Sequence, residues 1–182
     1  MMLFIFIICF VTEALSVIVT QCPEKTPVED FDINGIGRGI WYEVARYPYP
    51  SREPIQFLVY ESRMEGDLYV AETINVNRTS PYFTEVFSRM LPDSRKRGRI
   101  TFEFSSSERG LLIDSPVMYI LAVDYDKFFI AYTCVYDESQ NKFREHAWVL
   151  SRTPPIPGKA KRDFLEISKS VGLDEDELIW YH

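Results

Sequence analysis

The side-chain types that most often carry catalysis or hold metal ions are scarce in this chain of 182 residues. Its two histidines, His146 and His182, are far apart in the sequence, and no cluster of His, Cys and carboxylate residues has the spacing of metal ligands. Ser51 and Ser62 do not lie in the G-x-S-x-G turn that presents the nucleophile of many hydrolases. The sequence therefore predicts no metal site, no zinc or haem cofactor and no catalytic centre.

The first residues of the chain resemble a targeting signal. Residues 3–11 (LFIFIICFV) form an uncharged apolar run that is too short to cross a bilayer, and the small residues Ala14 and Ser16 follow it. This pattern predicts a secretory signal peptide over residues 1–16. An uncleaved signal anchor is disfavoured because the sequence turns polar at once afterwards. Residues 17–182 are then expected to form a single mature domain.

The predicted signal peptide determines how the three cysteines are interpreted. Its removal takes Cys9 away and leaves Cys22 and Cys134 as an even pair in an oxidising compartment. A disulfide between the two is favoured over a free thiol that would be available for catalysis. In a secreted chain, the N-R-T sequon at Asn77 predicts an exposed N-linked glycan.

The charge balance excludes one class of partner. The chain has 20 Lys and Arg against 27 Asp and Glu, a net charge of −7. Nonspecific binding to nucleic acid or to an anionic membrane surface requires the opposite sign. The one dense basic run, residues 95–99 (RKRGR), is interpreted as a solvated hairpin between two strands. Contact with a polyanion, an electrostatic feature at the mouth of a ligand site and a proteolytic site are the alternatives.

The elements that must position these residues are short segments separated by turns. Segments of apolar/polar alternation or mixed aromatic runs occur at residues 41–46, 55–64, 67–76, 82–90, 99–104, 117–124, 128–136 and 145–150. Eight such segments predict an antiparallel barrel or sandwich, and an eight-stranded barrel has an interior wide enough for one small ligand. Apolar residues recurring from Ala160 to Val171 predict one amphipathic helix between Pro157 and Gly172. The tail, residues 178–181, is expected to add a short closing strand.

Three separated segments resemble motifs of the lipocalin family. Residues 39–46 (GIWYEVAR) are similar to the family's G-x-W-[YF]-E-[IV]-A motif, and residues 122–126 (AVDYD) are similar to its T-D-Y motif, with Val123 in place of Thr. Residues 148–153 (WVLSRT) are similar to the last-strand motif that ends in Arg. The resemblance covers nearly the whole mature chain. It implies an all-β fold, an eight-stranded antiparallel up-and-down barrel (the calyx) with one C-terminal helix packed on its outside.

Within the family, the segments around Cys22, Phe31 and Cys134 most resemble apolipoprotein D and the insect bilin-binding proteins. The resemblance implies that the disulfide between Cys22 and Cys134 is retained. The second disulfide typical of those relatives is not expected, because no cysteine stands near residues 55–57 or near the C-terminus.

The family motifs also imply how the lower end of the barrel is closed. Gly39 allows the chain to turn closely under the barrel, and Trp41 plugs it. Arg152 is expected to lie over the Trp41 indole as a cation–π pair, with Asp124 and Tyr125 in the adjoining turn. These five residues are predicted to be structural and not to contact a ligand.

Alternation along the strands predicts which residues line the calyx. With Cys134 facing outward, the odd-numbered residues of its strand face the lumen. On the next strand Ala147 and Val149 suit the space beneath the helix, so the even-numbered residues face the lumen. The resemblance adds residues of the second and sixth strands. The predicted lining is Tyr60, Met118, Ile120, Phe129, Ala131, Thr133, Val135, Arg144, His146 and Trp148.

Three of these lining residues have alternative interpretations. The alternative for Trp148 is a core residue of the lower barrel that does not contact a ligand. Arg144 either anchors a ligand carboxylate near the mouth or is solvated at the rim. His146 is interpreted as a polar wall residue rather than a metal ligand.

The resemblance implies a secreted, extracellular protein that binds and transports a small hydrophobic ligand such as a fatty acid, retinoid, steroid or bilin-type pigment. No other cofactor, no nucleic-acid partner and no stable membrane insertion are expected. The alternative class is a protein-interaction or signalling module that acts through its loops, on a receptor or by self-association. An isomerase activity of the kind that some lipocalins have toward prostaglandins needs a thiol in the lumen, and none is expected to be free there.

Overall fold

The computed structural model describes residues 18–47, 58–65, 68–75, 82–95, 98–104, 117–153 and 159–180. The predicted signal peptide, the sequon at Asn77, His182 and part of the basic run lie outside these ranges. The described elements, in chain order, are β1 (Ile18–Val19), α1 (Ile33–Ile36), β2 (Gly39–Arg46), β3 (Leu58–Glu65), β4 (Leu68–Asn75), β5 (Tyr82–Pro92), β6 (Arg99–Phe104), β7 (Val117–Asp124), β8 (Phe128–Asp137), β9 (Lys142–Ser151), α2 (Lys159–Ser170), a 3-10 turn (Glu175–Glu177) and β10 (Ile179–Trp180).

Strands β2 to β9 form the barrel. Each pairs antiparallel with the next in the chain, and β9 also pairs with β2, so the eight strands form a hydrogen-bonded ring. Short turns favour this arrangement because consecutive antiparallel strands can be joined by tight hairpins. The hairpin of β8 and β9 pairs from Phe128 with Ser151 to Asp137 with Lys142. The predicted all-β fold with an eight-stranded antiparallel barrel is confirmed.

Side chains that alternate along the strands separate into two cores, one inside the ring and one outside it. On β8, for example, Phe129 belongs to the inside and Ile130 to the outside. We call them the inner core and the outer core. The inner core contains Phe31, Ile36, Trp41, Ile100, Ile120, Phe129, Ala131 and Leu150. The outer core contains Val44, Ala45, Tyr47, Leu121, Ile130, Tyr132, Ala147, Val149, Leu173 and Leu178.

Helix α2 covers the outer core. Phe164, Ile167 and Val171 recur at helical spacing and pack against it, which confirms the predicted C-terminal amphipathic helix. Gly172 then adopts φ +76°, a left-handed conformation that glycine tolerates well and that commonly ends a helix. Of the helices that the structure describes, none is long and apolar enough to cross a membrane.

The N-terminal segment, residues 18–36, is fastened to the barrel wall at several places. Its strand β1 pairs with β9, and Cys22 forms a disulfide with Cys134 of β8. Further along, the Val28 N–H donates to the carbonyl of Ile120 at 2.9 Å, and the Gly98 N–H donates to the carbonyl of Val28 at 3.2 Å. A β carbon at Gly98 would lie 2.6 Å from that carbonyl oxygen, so this approach requires glycine.

The loop between β5 and β6 holds the described part of the basic run. The Asp93 carboxylate accepts a hydrogen bond from the Arg95 N–H at 2.8 Å and lies 3.3 Å from Arg99 Nη1. The Asp93 N–H donates back to the Arg99 carbonyl at 2.8 Å. Arg95 is exposed. The run therefore begins in the turn and ends at Arg99, the first residue of β6, which is paired to the Asp93 carboxylate.

Candidate functional site

The lower end of the barrel is closed around Trp41. This residue is fully buried, and its indole N–H donates to the carbonyl of Ile36 at 2.9 Å. The Phe129 ring meets the indole edge to face at 4.7 Å between centroids. The Arg152 guanidinium lies over the Trp41 ring, 3.4 Å from its centroid, within the range of a cation–π contact. The cation–π pair expected from the family motifs is therefore present in the structure.

Arg152 also ties together the backbone segments that meet at this end. Gly39 adopts φ +72°, and a β carbon there would lie 3.3 Å from Arg152 Nη1, so glycine suits both the conformation and the close approach. A guanidinium has five N–H donors in a rigid plane, which suits it to several carbonyls at once. Among its acceptors are the carbonyls of Tyr125, Arg38, Ile40 and Gly35, at 3.0, 2.8, 3.0 and 3.2 Å.

The turn between β7 and β8 completes the closed end. The Tyr125 hydroxyl accepts a hydrogen bond from the Asp32 N–H at 2.6 Å, which joins the turn to the start of α1. Asp124 accepts from Lys127 Nζ at 2.6 Å and from the Asp126 N–H at 3.2 Å. The Lys127 bond in particular lowers the pKa of the Asp124 carboxyl. These contacts join the turn to the start of α1 and to its own backbone; the prediction that the closed end does not contact a ligand stays a prediction.

Above Trp41 the inner wall changes from apolar to polar. Paired residues of neighbouring antiparallel strands face the same side of a sheet. The register of β8 and β9 therefore defines four levels, from the closed end upward: Phe129 with Leu150, Ala131 with Trp148, Thr133 with His146, and Val135 with Arg144. On β7, Ile120 pairs with Ala131 and Met118 pairs with Thr133. The two lower levels are aromatic and aliphatic, whereas the two upper levels contain a hydroxyl, an imidazole and a guanidinium.

Most of the predicted lining residues have described side chains. According to the strand register, all of these lie on the inner wall. Alternation is interrupted on β7 by a register shift between Ile120 and Ala122, but Met118 and Ile120 precede it and keep the expected side. Trp148 is half-buried and packs against the inner core. The backbone of Tyr60 pairs with that of Trp41. The side chain of Tyr60 is not among those that the structure describes.

His146 lies in the upper part of the wall, with 6 % of its surface exposed. Its ring stacks on Trp148, with 6.1 Å between centroids and 15° between planes. Burial, and to a lesser extent the nearby Arg144 charge, lowers the pKa of His146 to about 4. The imidazole is therefore neutral at neutral pH. Among the residues that the structure describes, no group of three or more His, Cys, Asp or Glu side chains is placed to hold a metal ion.

Arg144 forms the top level of the wall. It is largely buried, and its guanidinium donates to the Asp137 carboxylate at the end of β8. The hydrogen bonds from Ser139 and Arg144 lower the pKa of Asp137 and keep it charged. Arg144 is thus part of an ion pair in the barrel wall, which differs from one of its two alternatives, simple solvation at the rim; its contact with a ligand stays a prediction.

A second charged pair faces the same interior and was not predicted. Glu43 and Arg46 on β2 both pair through their backbones with inner-wall residues of β9. Glu43 is fully buried, and its Oε1 lies 3.5 Å from Arg46 Nε. Simple alternation from Trp41 places Glu43 inside, so the sequence contained that signal. Arg46 reaches the inside only because the register shifts between Glu43 and Ala45, an irregularity that alternation does not reveal.

A ring of eight antiparallel strands, closed below by a tryptophan and an arginine and lined above by a graded inner wall, defines the class of calyx-type β-barrels. The chain belongs to the lipocalin family: the family model described as "Lipocalin / cytosolic fatty-acid binding protein family" matches residues 38–179. The family resemblance found in the sequence motifs is confirmed.

Insect proteins are among the relatives most similar to this chain. Insecticyanin-B of Manduca sexta is 29% identical over 143 residues, which cover 77% of this chain and 67% of that protein. The bilin-binding protein of Pieris brassicae is 31% identical over 140 residues, with 77% and 71% covered. Among solved structures, insecticyanin from Manduca sexta has a TM-score of 0.75 at 24% identity, covering 92% of this chain and 89% of that one. That structure supports the fold.

Proposed function

We propose that this protein is an extracellular carrier that binds a small hydrophobic molecule inside the barrel. The observation that carries the proposal is the graded inner wall, with apolar levels above Trp41 and polar levels toward the other end. Sites for small ligands in proteins are mostly apolar and carry a few fixed polar groups. The name of the Pieris brassicae relative, bilin-binding protein, supports the same class of function. The signal-like sequence at residues 1–16 and the disulfide support secretion.

The expected affinity follows from burial of apolar surface. A ligand that buries about 400 Å² of apolar surface gains about 10 kcal/mol at about 25 cal/mol per Å². Loss of translational and rotational freedom removes several kcal/mol of this gain. A loss of about 4 kcal/mol leaves about 6 kcal/mol, a dissociation constant of tens of micromolar, and a ligand that buries about 500 Å² reaches the micromolar range.

A tryptophan-fluorescence titration of the secreted, delipidated protein tests the proposal. The panel consists of arachidonate, a retinoid, a steroid and biliverdin. The three tryptophans report on different places: Trp41 on the closed end, Trp148 on the inner wall, and Trp180 beside the helix, where it stacks with Phe164. Trp148→Phe removes the inner-wall reporter, and Trp180→Phe is the matched control on the outside.

Saturable quenching at micromolar or lower concentration is expected for at least one ligand of the panel. Most of the signal should be lost in Trp148→Phe and retained in Trp180→Phe. A flat response across the panel from protein whose circular dichroism confirms a folded barrel would contradict the carrier proposal. The loops and a protein partner would then become the subject of study.

A further inference from the structure

The charges on the inner wall are matched in pairs. Glu43 is fully buried, and its backbone pairs with Leu150 of the inner core. The carboxylate is 3.5 Å from Arg46 Nε, whose residue pairs with Trp148. A carboxyl group buried to this extent either takes up a proton or is stabilised as the anion by a cation beside it, and the Arg46 guanidinium is the cation here. The Glu43–Arg46 pair therefore lies beside the apolar levels of the wall.

The second pair lies toward the open end. Arg144 is largely buried and donates to Asp137, which is about one-fifth exposed at 21 %. Both guanidiniums that face the interior below the rim, among the residues that the structure describes, are thus beside a carboxylate. His146 is a further ionisable group on the described part of this wall, and its lowered pKa leaves it neutral at neutral pH.

This charge matching has a consequence for the ligand. Among the side chains that the structure describes on this wall, both guanidiniums are already beside a carboxylate. A ligand carboxylate that reaches them either displaces Glu43 or Asp137 or stays without a counter-charge from these groups in a region of low dielectric constant. Both alternatives are costly, because removing one partner of a buried ion pair leaves the other uncompensated. A hydroxyl, aldehyde, ester or amide carries no charge, so its entry incurs no such cost.

We infer that the barrel selects ligands whose polar end is uncharged over the corresponding carboxylates. The inference rests on the proposed carrier function and names the class of ligand for that site. The Glu43–Arg46 and Arg144–Asp137 pairs are the groups that set the selectivity, and Trp148 with His146 forms the surface between them.

Matched pairs of ligands test this inference. Each pair has the same apolar body and differs only at the polar end: retinol and retinoic acid, methyl arachidonate and arachidonate, biliverdin dimethyl ester and biliverdin. Dissociation constants are measured at neutral pH by quenching of tryptophan fluorescence. We expect the neutral member to bind at least about tenfold more tightly in each pair that binds, since a buried unpaired charge costs several kcal/mol. Equal affinity, or tighter binding of the acid, would overturn the inference.

Two variants locate the cause of the selectivity. Glu43→Gln keeps the size of the side chain but removes the charge that Arg46 faces, so the acid should gain affinity relative to its neutral partner by about tenfold. Glu145→Gln is the matched control, because Glu145 is a buried glutamate on the outer side of the wall, bonded to the Tyr132 hydroxyl at 2.8 Å. Its selectivity should equal that of the unchanged protein. A folded Glu43→Gln variant with unchanged selectivity would contradict the role of the pair.

Asp137→Asn provides an independent variant near the surface if Glu43→Gln does not fold. It removes the carboxylate beside Arg144 and should also shift the preference toward acids, whereas Glu138→Gln, an exposed neighbour in the same turn, should not. The two proposals fail differently. Absence of binding by every ligand refutes the carrier function and this inference with it, whereas binding without preference for the neutral members refutes this inference alone.

Discussion

Acidification should destabilise the folded protein through His146. The imidazole has an ordinary pKa of 6.5 and a folded pKa of about 4, because it is buried in the inner wall beside the Arg144 charge. Above pH 6.5 the group is neutral in both states and has no effect. As the pH falls below 6.5 the unfolded chain binds a proton that the folded protein takes up only near pH 4. Stability is therefore lost as the pH falls through this window.

The size of the effect follows from the two pKa values. A tenfold difference in proton affinity is worth about 1.4 kcal/mol, so His146 accounts for up to roughly 3 kcal/mol once the pH is below 4. Between pH 7.5 and pH 5 the expected loss is about 2 kcal/mol. This is a large part of the stability of a typical domain.

The assay is urea unfolding followed by circular dichroism at pH 7.5, 6.5, 5.5 and 5.0, on the unchanged protein and on His146→Gln. Other groups titrate in the same range, but their contributions cancel in the difference between the two proteins. The free-energy difference should shrink by about 2 kcal/mol from pH 7.5 to pH 5. His182→Gln removes the other histidine of the chain and serves as the control. A difference between the unchanged protein and His146→Gln that stays constant over this range would refute the reasoning.

Three further changes have defined expected outcomes, all measured by urea unfolding at pH 7.5. Arg152→Lys removes the planar guanidinium from the closed end together with most of its carbonyl bonds, and should cost roughly 2–4 kcal/mol; a loss below about 0.5 kcal/mol would contradict the fastening role. Gly98→Ala places a β carbon against the Val28 carbonyl and should lower the free energy of unfolding by roughly 1–3 kcal/mol. An unchanged urea midpoint would show that the backbone at Val28 moves to accommodate the β carbon. Replacement of Cys22 and Cys134 together by Ala should cost about 2–5 kcal/mol, whereas equal stability of the oxidised protein and this variant would show that the bond does not fasten the segment.

The sequence predicted the barrel because its strands carry their own signals. Alternation on β8 separated Phe129 from Ile130, and the spacing of Phe164 and Ile167 indicated the helix on the outside. These are local patterns, and each is repeated along an element. The shortest elements have too few residues to show a repeated pattern. Strand β1 has only two residues, and it pairs with Phe143 and Arg144 of β9, on the part of that edge that β2 leaves uncovered.

The candidate site was predictable where alternation is regular and not where it breaks. Thr133 and His146 lie on strands without a register shift beside them, so parity and the register give the same side of the sheet; their contact with a ligand stays a prediction. Arg46 follows the shift on β2, and its inward position is visible only in the structure. The ion pair of Arg144 with Asp137 depends on which rotamer a long side chain adopts, and no sequence pattern reports that.

The disulfide between Cys22 and Cys134 also affects the order in which the protein assembles. The neighbouring strands of the barrel form from local hairpins, but the contact between β2 and β9 joins opposite ends of the chain, and such contacts slow folding. The bond spans 112 residues and attaches the segment before β2 to β8, the neighbour of β9. Once it has formed, only the residues between Cys22 and Gly39 separate the tether from the start of β2. Closing a short loop costs less entropy than closing a long one, so oxidation lowers the entropic cost of pairing β2 with β9.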